Sequence, residues 1–428
     1  MIRIMKYGEI PDAEIFLRGE IKTDVAGVVS AILTDVKRRG DAAVRDYCDR
    51  FDGGAPACLE VSEDEYADAE RQIDPALLAT MRKAAENIRA FHSRQVRNSF
   101  VISEQNGVVL GQKVIPIEKV GLYAPGGTAA YPSTVLMDAI PAKIAGCREL
   151  IMVTPAKGGK VTPAILAAAR IAGVDQVFKV GGAQAIGALA YGTDTIPRVD
   201  KIVGPGNAFV TEAKKQVFGQ VAIDMIAGPS EILIVADGGS NPRHVAADML
   251  SQAEHDRMAA AVLVTDSEKL AYAVAAEIEM QLQVLPREEI ARASIEDFGK
   301  IILCGSLKDA LQVANTIAPE HLELCVDQPF DYLDQVKNAG SVFMGRFCPE
   351  ALGDYFGGPN HVLPTVGTAR FSSPLSMDDF VKKTQFSYYT AEALRGVYAD
   401  VARFARAEGL EAHARSAESR FAGEEAQQ

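Results

Sequence analysis

The chain has no tryptophan at all, and among its 428 residues only six histidines and six cysteines. The cysteines (Cys48, Cys58, Cys147, Cys304, Cys325, Cys348) form no C-x-x-C pair, which excludes a zinc knuckle or a thioredoxin-like motif and leaves them as reduced core residues. Also missing is H-E-x-x-H, which speaks against a common metallopeptidase, and a complete G-x-G-x-x-G, so the standard dinucleotide fingerprint gives no support. No apolar run reaches about 18 residues, the length that would suggest a membrane span. Met1 to Glu20 carries Glu9, Asp12 and Glu14 among its apolar residues, unlike a signal peptide. Positive charge is scarce as well: a net charge of -13 is a poor match for nucleic acid or an anionic membrane, whose phosphates need clustered Lys and Arg. A small-molecule partner and a cytoplasmic location are the expectation.

What is present is the composition of a folded protein, 48% hydrophobic and 24% charged. Single cores stop growing near roughly 250 to 300 residues, so two or more domains are expected. Before residue 115 the pattern is helical, with stripes at Val25, Val28, Val29, Ile32, Leu33 and Val36, then Val44, Tyr47, Cys48 and Phe51. Asp74 as N-cap and Pro75 as first residue open a third helix with Leu78, Met81, Ala85, Ile88 and Phe91 on its inner face. From about residue 119, short apolar runs alternate with helices: Leu150 to Thr154, Gln176 to Val180, Lys201 to Val203, Glu231 to Ala236, Ala261 to Thr265 and Ile301 to Cys304. This is the pattern of a parallel α/β protein. Glycine-rich turns at Gly126-Gly127, Gly181-Gly182, Gly204-Pro205-Gly206-Asn207 and Gly228-Pro229-Ser230 are either ordinary strand-to-helix turns or places where backbone N–H groups approach a phosphate. After 365 the sheet signals fade, and one helix from about Ala391 carries Leu394, Val397, Val401 and Phe404 to a stop at Gly409. A second subunit is one surface that could bury that stripe. Gly423 to Gln428 reads as disordered.

Four of the histidines fall in segments that also carry carboxylates or carboxamides. Asn241 and Pro242 open a helix running to about Asp256, which buries Gln252 and sets His255 beside it on one face; the pair needs partners, either hydrogen bonds or a metal. Ala318 to Cys325 alternates with period 2, a strand beginning at His321. Glu320 and His321 at its end are either a solvated loop pair or a general base with a proton shuttle. Pro349 to His361 packs Glu350, Asp354, Asn360 and His361 into a Gly- and Pro-rich loop. His413, past the C-terminal helix, would be unremarkable in isolation. Nitrogen and oxygen donors without thiolate suit zinc or a similar divalent ion. His92 and His244 read as surface or core residues.

In this order the segments resemble the histidinol dehydrogenase family, over nearly the whole chain. The likeness runs from Asp35-Val36-Lys37-Arg38-Arg39-Gly40-Asp41 through Gly121-Leu122-Tyr123-Ala124-Pro125-Gly126-Gly127, Val180-Gly181-Gly182-Ala183-Gln184-Ala185 and Gly204-Pro205-Gly206-Asn207. It continues through Ala227 to Glu231, Leu250 to His255, Pro319-Glu320-His321 and Gly353-Asp354-Tyr355 to His413. The resemblance implies two incomplete Rossmann-like parallel-sheet domains: 18–122 with 231–375 as a discontinuous one carrying the zinc and catalytic residues, and 123–230 inserted on the NAD side. Residues 1–17 and 376–428 would form a tail and dimerisation region. It implies oxidation of L-histidinol to L-histidine through histidinal, with two NAD used in turn and one zinc per subunit. Gln252, His255, Asp354 and His413 would hold zinc, Glu320 would activate water, and His321 would take the alcohol proton. Ser230, His361 and Glu408 would contact substrate together with His321 and the zinc ligands, and Tyr123, Gln184 and Asn207 would face NAD. A homodimer with shared sites is implied, His413 and Glu408 reaching into the partner's site. Two rivals remain: a relative oxidising another small alcohol, and a zinc hydrolase or metal-binding module.

Overall fold

The structure is a computed structural model and describes residues 2–9, 11–16, 24–103, 106–126 and 131–422. Gly127 of the first expected turn and the stretch 423–428 lie outside the described residues. In chain order the strands are β1 (Arg3–Lys6), β2 (Phe100–Ile102), β3 (Val108–Pro116), β4 (Lys119–Tyr123), β5 (Glu149–Thr154), β6 (Gln176–Lys179) and β7 (Lys201–Val203). They continue with β8 (Ala222–Ile223), β9 (Glu231–Ala236), β10 (Ala260–Thr265), β11 (Lys300–Leu303), β12 (His321–Cys325), β13 (Ser341–Met344) and β14 (Val381–Tyr389). The chain divides into two compact units: Met1–Val96 with Ile117–Phe380, and Arg97–Pro116 with Val381–Gln428.

The first unit is α/β and holds two parallel sheets, ordered β6-β5-β4-β7-β8 and β1-β11-β10-β9-β12-β13. Apart from the edge strand β1, each is wound the same way: the chain enters near the middle at β4 or β9, steps outward through two strands, then crosses to the other side at β7 or β12. The continuous apolar runs predicted as strands are buried on both faces, as helix-covered parallel sheets require. Helix Ala26–Arg39 buries Val29, Ile32, Leu33 and Val36 in one core with Ile151, Phe178 and Leu189, on one side of the β4–β8 sheet. Helix Pro75–His92, capped by Asp74 on the Ala76 N–H, shares another core with Val120, Leu122, Leu150 and Met152. Each such aliphatic side chain contributes about 1.5–3 kcal/mol of burial.

Several expectations are corrected by this packing. Residues 26–92 cover the β4–β8 sheet, and β4 belongs to it, rather than both joining 231–375 as the expected partition has it. An apolar stripe goes to whichever sheet face is bare, which chain order does not reveal. The described residues among 1–17 do not form a tail: β1 is the edge strand beside β11, Ile2, Met5 and Ile15 are buried, and the Lys300 Nζ donates to the Ile15 carbonyl. In helix Pro75–His92 the inner face ends on His92, fully buried, while Phe91 is exposed.

The second unit contains an antiparallel sheet, β14-β3-β2, where no strand was expected. Eight of the nine β14 positions are exposed, so no face demanded the alternation by which strands are recognised. The single C-terminal helix is two, Ala391–Arg395 and Tyr398–Ala407, interrupted at Gly396. Val397, Val401 and Phe404 of the expected stripe are all exposed.

Candidate active site

Tyr123 ends β4, and its hydroxyl accepts from the Gly182 N–H at 3.1 Å. Gln184 lies in the first turn of helix Gly182–Tyr191, buried, its Nε2 without a partner. Asn207 caps helix Ala208–Val217, its Oδ1 accepting from the Phe209 and Val210 N–H groups at 3.0 and 3.2 Å. These three expected NAD-side residues line one cavity of about 580 Å³. The turn behind Asn207 is tightly held. Gly204 has φ +111, its N–H donates to Asp224 Oδ2 at 2.8 Å, and its carbonyl accepts from the buried Lys214 Nζ at 2.9 Å. A Cβ there would sit 2.2 Å from the Tyr123 carbonyl oxygen, so only glycine fits.

A second cavity, of about 500 Å³, shares Pro125, Tyr131 and Asn207 with the first and brings together Ser230, Gln252, His255, Glu320, His321, Asp354 and His361. Gln252 is buried, as the helical spacing predicts. Helix Pro242–Ala253 stops sooner than expected, so His255 stands in the following turn, its N–H donating to the Gln252 carbonyl at 3.2 Å, rather than on the helix face. Asp354 belongs to a short helix, Glu350–Tyr355, where a loop was expected; Pro349 at the N-cap position supplies its fixed φ, and the Glu323 carboxylate accepts from the Glu350 N–H at 2.7 Å.

Glu320 and His321 are buried at the start of β12, so the solvated-loop alternative falls away. Both are held by the first residue of β9. The Glu231 N–H donates to Glu320 Oε2 at 2.9 Å, and His321 Nδ1 donates to the Glu231 carbonyl at 3.0 Å. That bond fixes the proton on Nδ1 and leaves the Nε2 lone pair buried without a partner, 3.8 Å from Glu350 Oε1 and 4.0 Å from Asp354 Oδ1. Burial brings the His321 pKa down to about 4, so the ring is neutral at pH 7. The Glu320 carboxyl is pushed well above its ordinary range, first by burial and then by the Glu231, Asp354 and Glu350 carboxylates. Burial likewise raises Glu350 to about 8 and Asp354 to about 6. His361 spends both ring nitrogens on protein groups: Nδ1 lies 3.0 Å from the Asp354 carbonyl and Nε2 3.3 Å from Thr134 Oγ1.

Three buried atoms here have no hydrogen-bond partner: Gln252 Oε1, Glu350 Oε1 and His321 Nε2. Gln252 Oε1 and His321 Nε2 can only accept, and Glu350 Oε1 belongs to a carboxyl that burial holds largely protonated at neutral pH. The site is therefore rich in lone pairs and in carboxyls kept from ionising, which is the condition a divalent cation relieves. The tightest group of such atoms is His321, Glu350 and Asp354, whose ligand atoms lie within 4.8 Å of one another. The sequence marks Glu350 as one of four polar groups in its loop but assigns it no role at the site. Its spacing of four from Asp354 would have put both carboxyls on one face had a helix been recognised there. Glu408 and His413 belong to the second unit, where they line a cavity with Val401, Phe404 and Leu410.

Known proteins resemble the chain closely. The family model described as histidinol dehydrogenase matches residues 18–421. A histidinol dehydrogenase of Clostridium acetobutylicum is 50% identical, covering 98% of this chain and 99% of its own length. That of Lactiplantibacillus plantarum is 54% identical over 93% of each. The crystal structure of histidinol dehydrogenase from Elizabethkingia anophelis superposes with a TM-score of 0.93 at 38% identity, covering 98% of both chains. Matched over almost its entire length in sequence and in fold, the chain belongs to the histidinol dehydrogenase family.

Proposed function

We propose that the protein oxidises L-histidinol to L-histidine by way of histidinal, with two NAD consumed in turn and one zinc ion per subunit. The observation that carries this reading is the cavity in which a neutral, oriented histidine and a buried carboxyl meet the unpartnered Gln252 oxygen beside the turn that bears Asn207. Taking an alcohol to an acid requires two hydride removals with a hydration between them, hence one group to accept the alcohol proton and one to activate water. His321 Nε2 takes the first role, because its tautomer is fixed and its lone pair is available at neutral pH. Glu320 takes the second. Its carboxyl is held by the Glu231 N–H and lies 3.6 Å from His321 Nδ1.

Gln252, His255 and Asp354 would hold the zinc ion from this chain, and the buried, unpartnered Gln252 oxygen supports that fit. Bound there, zinc would supply a Lewis acid suited to an imidazole and an amine, and its charge would favour ionisation of the carboxyls around it. NAD supplies the hydride acceptor from the side of Tyr123, Gln184 and Asn207. Ser230 and His361 form part of the substrate wall. His413 completes the zinc ligands, and Glu408 the substrate contacts, from a second copy in a homodimer. The exposed Val397, Val401, Phe404 and Leu410 near them support such an association. A cytoplasmic setting accords with this chemistry, and among the described residues no helix is long and apolar enough to cross a membrane.

The test is NADH formation on adding L-histidinol to the zinc-loaded protein, with close to two NADH per histidine and loss of activity on chelation. A zinc-loaded sample that leaves histidinol untouched refutes the proposal, and a panel of small alcohols then separates the broader dehydrogenase reading. Mixing His413→Ala with Glu320→Gln subunits should restore part of the activity, since one site of each mixed dimer is intact. No recovery would mean self-contained sites.

A further inference from the structure

We infer that Asp52 is the cofactor-selecting residue: its carboxylate accepts hydrogen bonds from the adenosine ribose and excludes a dinucleotide that carries a 2′-phosphate. This rests on the dehydrogenase reading above and adds to it the feature that separates NAD from NADP.

The two cavities fix which end of the cofactor lies where. They meet at Pro125, Tyr131 and Asn207, and only the second contains His321 and Glu320. Hydride must be delivered beside His321, so the nicotinamide end extends past the shared wall and the adenosine end occupies the first cavity. That cavity has Asp52 as its only carboxylate and Lys157, exposed, as its only cation among the described residues. Its mouth has three apolar side chains that are otherwise hard to account for on a surface: Val28 and Phe51, more than half exposed although each falls on an apolar helix stripe, and Phe209. They form an apolar rim against which a planar base can lie.

Among the side chains that line the cavity two polar atoms are buried and unpartnered, Asp52 Oδ2 and Gln184 Nε2. One is an acceptor and the other a donor. A ribose diol meets both, since each hydroxyl donates as well as accepts. A phosphate dianion has no proton to give the carboxylate and is repelled by it. An acidic residue on the ribose hydroxyls is the general device by which nucleotide folds select NAD. It is ordinarily found well beyond the glycine turn, in a later strand. Here it follows helix Asp41–Phe51, upstream of the whole β4–β8 sheet, which is why no fingerprint in the sequence points to it. Burial raises the Asp52 carboxyl, and hydrogen bonds from the Cys48 thiol and the Gly181 N–H pull it back. The Gly181 contact also ties Asp52 to the start of the helix that carries Gln184.

Calorimetric titration of the zinc-loaded protein with NAD, NADP and NAD lacking the adenosine 2′-hydroxyl tests this without relying on turnover. The wild type should bind NAD roughly 10- to 100-fold more tightly than either of the others, the range of one hydrogen bond to a charged group. Asp52→Asn should lose most of that difference, weakening NAD while leaving NADP equal or improved. An Asp52→Asn protein that weakens all three equally, or keeps the wild-type ratios, overturns the inference. So does a wild type that binds the 2′-deoxy analogue as well as NAD, a result that needs no variant to fold. A wild type that binds no nicotinamide dinucleotide refutes the dehydrogenase reading itself, a distinct outcome.

Discussion

In the β4–β8 sheet, the groups that face the cavities stand at the carboxyl ends of strands: Tyr123 is the last residue of β4, and Gly204 follows β7. In the β9–β13 sheet they stand at the amino ends, with Ser230 just before β9 and His321 the first residue of β12. The two sheets are wound in the same order and have their switch points in the same place. What differs is what each end of a strand can offer. Carboxyl ends lead into turns and helix N-termini, where N–H groups such as that of Gly182 point outward, suiting an anionic cofactor. Amino ends offer a rigid backbone with both an N–H and a carbonyl, and Glu231 uses them to hold Glu320 and to fix the His321 tautomer. In the proposed reading, binding is built on turns and proton transfer on a strand, with a shared wall between them.

If that division is real, damage at the two ends should register in different quantities. His321→Ala should lower kcat by roughly 10²- to 10⁴-fold, the usual contribution of a general base, with little change in the KM for NAD. A rise in that KM to match would merge the two ends. Glu320→Gln should spare the first hydride removal more than the hydration that follows, so histidinal, trapped as a hydrazone, should be released; a uniform loss of both steps would move the water-activating role elsewhere. On the cofactor side, Gly204→Ala places a methyl against the Tyr123 carbonyl in a left-handed conformation. It should cost about 1–3 kcal/mol in chemical denaturation and raise the KM for NAD before it affects kcat. Asn207→Ala removes a cap worth about 1 kcal/mol, with the same preference for KM.

The smallest expected effect lies away from both ends. His92 is fully buried in helix Pro75–His92, its Nδ1 2.7 Å from Gln95 Oε1, and burial lowers its pKa below 6.5. Below 6.5 the unfolded chain therefore binds a proton that the folded chain refuses. The stability His92 contributes is full above that pH and is lost as pH falls toward the lowered value. His92→Leu should flatten the acid side of the stability curve and leave kinetics at pH 7.5 unchanged; an unaltered acid side would show that other groups set it.

Much of this was legible in the chain. The apolar runs of β5, β6, β7, β9, β10, β11 and β12, the caps at Asp74 and Asn241, and the burial of Gln252 all follow from local periodicity and capping chemistry, which tertiary contacts reinforced. The β2, β3 and β14 sheet was not, because β2 and β14 are exposed along nearly all their length and β3 is mostly half-buried with no period-2 alternation. Nor was the site role of Glu350, since a six-residue helix between Pro and Gly has too few positions to show a period.

Residue order alone determined the buried strands and capped helices of the two parallel sheets, that the protein is α/β, and that its histidines keep company with carboxylates. These are consequences of side-chain type at short range. Only the tertiary structure decided which sheet the helices of 26–92 cover, that Glu231 clamps two residues some ninety positions away, and that Asp52 and Gln184 line one cavity. Such choices depend on which apolar face is left bare once neighbouring elements have packed, and no local pattern encodes that.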